Sequence, residues 1–72
     1  CANRRTQSMK RHAEKAVRAR PNNSSYLDTL AEINFLLGDR DQAIELIQKC
    51  IRIDPSKIHY RNQLKRFSQP SR

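Results

Sequence analysis

Residues 27–55 read LDTLAEINFLLGDRDQAIELIQKCIRIDP, and this stretch decides the fold. Before the chain's one glycine, Leu27, Leu30, Ala31, Ile33 and Leu37 recur at helical spacing, with Phe35 and Leu36 broadening the stripe. After it come Ala43, Ile44, Ile47, Cys50, Ile51 and Ile53 at the same spacing. The period predicts two helices, over about 24–37 and 40–53. Gly38 between them can take the left-handed conformation that ends a helix. Asp39 is placed to cap the next helix, with Gln42 three residues on in a capping-box-like relation. Asp39 and Asp41 face the positive end of that helix, and Lys49 and Arg52 lie at its negative end. Glu45 and Lys49 are spaced for a surface pair worth ~0.3 kcal/mol. Pro55 stops the helix.

Working outward, Pro21 closes an earlier segment, about 4–19, that carries Met9, Ala13, Ala16, Val17 and Ala19. A last segment, about 57–68, carries Ile58, Tyr60, Leu64 and Phe67. Four helices and a single glycine predict an all-α protein. With 72 residues the core is thin, near the margin of independent stability. It is expected to centre on Leu27, Leu30, Ala31, Ala43, Ile44, Ile47, Cys50, Ile51 and Leu64. A shift of 34 residues puts Pro21 on Pro55, Ala13 on Ile47, Ala16 on Cys50, Val17 on Ile51, Tyr26 on Tyr60, Leu30 on Leu64 and Ile33 on Phe67. Such self-similarity marks a repeat of helical hairpins.

The run Leu27-x2-Leu30-Ala31-x6-Gly38-Asp39-x3-Ala43-x3-Ile47-x2-Cys50-x4-Pro55 resembles a tetratricopeptide repeat. Small residues at 31, 43 and 50 suit close helix crossings, where a larger side chain would force the hairpin apart. Asn34 departs from the aromatic often found in the family at that point, and Lys65 replaces the small residue matching Ala31. The resemblance implies one domain over 1–72. Residues 1–21 would be the second-type helix of a preceding repeat, 24–57 a complete repeat, and 58–72 a capping helix and tail. Repeat arrays need about three units, so the chain reads as the end of a longer array, and its start without Met reads as that of a fragment or a processed chain. The unpartnered stripe of Met9, Ala13 and Val17 could drive self-association.

The net charge of +8 is unevenly spread. Residues 1–20 hold seven Lys/Arg against Glu14, residues 21–57 are net −2, and residues 58–72 are net +4. Basic ends of this kind attract nucleic acid or anionic lipid, or are simply solvated helix faces. No apolar run approaches the ~20 residues that span a bilayer, and the first helix lacks the large apolar residues of an interfacial one, so no membrane role is expected. Cys1 and Cys50 form no metal-ligand spacing; a disulfide between them is open in principle, but Cys50 lies on a packed helix face, and free thiols would fit a reducing, cytoplasmic setting.

Nothing converges on catalysis. His12, among Lys10, Arg11 and Lys15, and His59, at the start of the last helix, read as surface residues. Asp28 and Glu32 are two acids on one exposed helix face. One glycine cannot build a phosphate-binding loop. The expectation is a non-enzyme with no cofactor and no metal. In the family that the chain resembles, the first helix of each hairpin lines a concave face that holds a peptide. That resemblance places Ser25, Asp28, Glu32 and Phe35, then His59, Asn62 and Arg66, on the inward face. Asp28 and Glu32 stand where a Lys-and-Asn carboxylate clamp would be needed, so the implied partner is a protein segment of basic or mixed charge. The rival reading is RNA binding through Arg4 to Arg20, opposed by the lack of stacking aromatics along that helix.

Overall fold

The computed structural model describes residues 4–69. Four helices follow one another: α1 (Arg4–Ala19), α2 (Ser24–Leu36), α3 (Arg40–Ile53) and α4 (Ile58–Ser68). The expected limits hold to within one residue, and the fold is all-α. Two caps explain the starts of the central pair. Asn23 Oδ1 accepts the Tyr26 amide at 3.2 Å, and Asp39 Oδ1 accepts the Gln42 amide at 3.4 Å.

The α2–α3 turn closes as a Schellman motif. Gly38, at φ +88°, donates to the Phe35 carbonyl at 3.1 Å, and the Asp39 amide donates to the Asn34 carbonyl at 2.8 Å. A Cβ at position 38 would meet nothing within 4 Å, so the backbone angle, and not crowding, calls for glycine. Asp39 thus ends one helix and starts the next.

Helix α2 packs on both α1 and α3, and α3 also packs on α4. The chain is a slab of 36 × 34 × 15 Å, so every helix has a face near solvent. Leu27, Leu30, Ala31 and Ile33 of α2 meet Ala43, Leu46, Ile47 and Cys50 of α3 in the core, with Tyr60 and Phe67 of α4 and Ala13 of α1. Ala31 and Ala43 have no exposed surface, as the close crossing of α2 and α3 requires.

Three residues expected in the centre of the core, Ile44, Ile51 and Leu64, lie at its edge and are half-buried. On α3 the stripe runs through 43, 46, 47 and 50, which turns 44 and 51 to its flank. On α4 it runs through 60, 63 and 67, which does the same to 64. Ile58, on the expected apolar stripe, is 71% exposed at the first position of α4, beyond the reach of α3. No ion pair joins Glu45 to Lys49; an exposed pair gains little against the entropy of two long side chains.

Asn34 and Gln63 are buried polar side chains, and the thiol of Cys50 is buried in the core. Asn34 is 1% exposed and its Oδ1 has no partner, a cost at the position where the family carries an aromatic. Cys50 is a free thiol whose Sγ–H donates to the Ser24 carbonyl at 3.3 Å. The Tyr60 hydroxyl donates to Ser24 Oγ at 2.9 Å, so Ser24 joins three helices at one point. Burial, with the Asp28 charge adding to it, pushes the Cys50 thiol up to about 12. Cys1 lies outside the described residues.

Ala31→Leu or Ala43→Leu is expected to overpack the α2–α3 crossing and cost about 1–3 kcal/mol. Urea denaturation checks this; melting like the parent for both would mean that the crossing lies elsewhere.

Candidate functional site

The polar side chains singled out in the sequence meet where α2 faces α4. From α2, Asp28 and Glu32 stand one turn apart; from α4, His59, Gln63 and Arg66 project at the same helical spacing. His59 Nε2 lies 3.2 Å from Asp28 Oδ2. Gln63 Nε2 donates to Glu32 Oε1 at 2.9 Å and reaches Asp28 Oδ1 at 3.5 Å. Arg66 grips Glu32 with both terminal guanidinium nitrogens: Nη1 at 3.1 Å from Oε1 and Nη2 at 2.8 Å from Oε2. Nη1 also donates to Gln63 Oε1 at 2.8 Å. The fork-on-fork geometry fixes both side chains in one plane.

An aromatic end adjoins this network. Phe35 stacks on Phe67 with centroids 4.6 Å apart and planes 27° apart. The Arg66 guanidinium carbon sits 5.2 Å from the Phe35 centroid and 5.5 Å from that of Phe67, within cation–π range. Phe67 is buried and Phe35 half-buried, so one ring edge and the guanidinium remain open to solvent.

Of the seven residues expected on this face, the structure brings Asp28, Glu32, Phe35, His59 and Arg66 into one contiguous patch. Asn62 is exposed on α4 and takes no part in the network. Ser25, also expected there, is exposed, and its carbonyl accepts the Thr29 hydroxyl at 3.0 Å. The repeat offset aligns Asp28 with Asn62, and Asp28 meets His59 and Gln63, which stand one helical turn apart on α4. Gln63 is the residue that sequence reading missed. It is 8% exposed and bonds to Asp28, Glu32 and Arg66. Its place four residues after His59 and three before Arg66 was the available signal.

The electrostatics follow from the contacts. Arg66's hydrogen bonds hold the Glu32 carboxyl below its ordinary value, helped by Gln63, while partial burial works the other way. The same contact raises Arg66. Glu32 is therefore ionised and engaged, and Cys50 is a protonated, buried thiol. Glu32 and Arg66 can accept from and donate to charged or hydrogen-bonding groups laid on this face. Among the described residues no cluster of His, Cys, Asp and Glu could hold a metal ion. None of the described helices is long and apolar enough to cross a membrane.

This hairpin, its turn and its close crossing define a helical-repeat protein. Residues 24–57 match the tetratricopeptide repeat family model, which supports assigning this stretch to that family. Repeats of this family are non-catalytic modules that mediate protein–protein interaction, typically by binding other proteins or peptides. No curated protein and no solved structure gives a significant match to the chain.

The Glu32–Arg66 contact makes stability depend on pH with a definite sign. Glu32's folded value lies below its ordinary 4.5, so the contact stabilises fully above that value and is lost as pH falls through the depressed one. Arg66→Met should therefore be less stable than the parent at neutral pH, and the gap should close as pH falls well below Glu32's ordinary value. Chemical denaturation across pH measures it; a gap independent of pH would mean that Arg66 acts through packing on Phe35 and Phe67 alone.

Proposed function

We propose that the chain binds a protein segment of mixed charge along the face shared by α2 and α4. The supporting observation is the convergence of Asp28 and Glu32 with His59, Gln63 and Arg66, more than 30 residues apart in sequence. Acid and base alternate across this face, and the Phe35–Arg66 end adds a planar apolar edge. A segment carrying a basic residue toward Asp28 and an acidic or aromatic one toward Arg66 meets both. Asn62, exposed beside the network, supplies a further amide. In this reading, residues 24–57 are a complete repeat, 1–21 the second helix of a preceding one, and 58–72 a cap. Specificity comes from charge order more than from total charge.

A second reading is nucleic-acid binding by the basic ends, carried by the net +6 of residues 1–20. It predicts weak, salt-sensitive, sequence-blind binding.

A charge swap separates the two. Glu32→Arg together with Arg66→Glu preserves the bridge while reversing its direction. Thermal melting should stay near the parent's. Affinity for a mixed-charge peptide, selected from a panel by fluorescence anisotropy, should fall by about tenfold or more. An unchanged affinity would place binding elsewhere. Saturable binding of a single-stranded RNA that survives near-physiological salt, with no peptide bound, would move nucleic acid to first place.

A further inference from the structure

Asp28 and Glu32 stand one turn apart on α2, yet their charges are met unequally. Glu32 faces a permanent cation, since both terminal nitrogens of Arg66 reach it, at 3.1 and 2.8 Å. For Asp28, the ion-pair partner among the described residues is His59, whose Nε2 lies 3.2 Å from Oδ2. The other oxygen, Oδ1, meets Gln63 Nε2 at 3.5 Å, the outer limit of a hydrogen bond. That amide already donates to Glu32 Oε1 at 2.9 Å. A carboxylate can accept about four hydrogen bonds, so Asp28 is under-filled, and 22% of its side chain is open to solvent.

His59 decides how much of that charge is left over. Its 3.2 Å contact with a carboxylate places a proton on Nε2. While the ring is neutral it gives Asp28 a hydrogen bond and no charge. In mildly acidic solution imidazole takes up a second proton, and His59 then brings a tethered cation to the same carboxylate. A cation held on the chain competes at high effective concentration with one arriving from outside. The imidazole is also 56% exposed, where it meets an incoming cation by repulsion.

The groups around His59 keep their own charge in that range. From α2, Glu32 feels the His59 charge and is held below its ordinary value by Arg66, so it stays ionised. From α3, the Cys50 thiol feels Asp28 and, pushed up to about 12 by burial, stays protonated. On α4, the Tyr60 ring lies 5.8 Å from that of His59, with its hydroxyl donated to Ser24. Lys57 sets its ammonium 5.7 Å from the Tyr60 centroid, and Arg66 is committed to Glu32.

We propose that Asp28 is the subsite that takes a cationic side chain of the bound segment, and that His59 is its internal competitor, so that mild acid releases the segment. The proposal rests on the peptide-binding reading of the α2–α4 face and adds a proton that opposes binding there.

The test uses rhodamine-labelled peptides of Ser and Ala that carry Lys and Glu at varied spacing, with twins that carry norleucine for Lys. Fluorescence anisotropy gives affinities at about pH 8 and about pH 5.5, which bracket the titration of imidazole. Amide shifts of the ¹⁵N-labelled chain show where the peptides bind. In the alkaline buffer a Lys peptide should bind about fivefold more tightly than its twin, with shifts at Asp28, His59 and Gln63. In the acidic buffer that advantage should disappear. His59→Gln keeps an amide donor that takes up no proton, so its Lys advantage should be equal in both buffers. Asp28→Asn should show no Lys advantage in either. If that variant unfolds by circular dichroism, the parent and His59→Gln decide. Peptides that bind this face with no Lys advantage, or with one that persists in acid, overturn the proposal and leave the face a binding surface. So does a Lys advantage retained by Asp28→Asn. Peptides that shift no amide of this face in either buffer overturn both the proposal and the reading beneath it.

Discussion

Ala31 and Ala43 have no surface exposed to solvent, and the distance between α2 and α3 that this sets governs the rest of the structure. Two helices can approach this closely only where both present small side chains. Leu27, Leu30 and Ile47 then interlock around the crossing, and Cys50 comes within reach of the Ser24 carbonyl. The turn serves the same end. Gly38 reverses the chain in a few residues because it alone tolerates a φ of +88°, and Asp39 caps α3 at once.

The polar face inherits its geometry from that core. With Ile33 turned toward the core, Asp28 and Glu32 are left on the side where α4 arrives. Tyr60 and Phe67 anchor α4 beneath them, so His59, Gln63 and Arg66 point at the two acids. Exposed ion pairs contribute about 0–1 kcal/mol each, so this network is a weak brace. Its larger effect is to fix the order of charges along the surface. Arg66, held by Glu32 and lying over two rings, is the most constrained cation on that face.

Much of this was legible before any coordinates. Helix limits follow from a 3.6-residue period broken by Pro21, Gly38 and Pro55, and the capping role of Asp39 is local chemistry. Glu32 and Arg66, as equivalent repeat positions, are both expected on the inward face, but their contact with each other is not. What was hidden depends on neighbours across the fold. Gln63 reads as a surface residue by type and is buried because three polar partners meet it there. Asn34 stood out as a departure from the family, but its burial without a partner for Oδ1 comes from the α2–α3 contact. Ile44, Ile51 and Leu64 looked central because hydrophobicity does not say which side of an apolar stripe faces the next helix.

Native-state hydrogen exchange tests most directly whether the α2–α3 crossing is the centre on which the rest depends. The account predicts that amides around Ala31 in α2 and Ile47 in α3 exchange only through global unfolding, while those of α1 and the end of α4 open at lower free energy. If α1 proves as protected as α2, or if α2 opens while α1 and α4 stay closed, the hairpin is not the centre and the account is wrong.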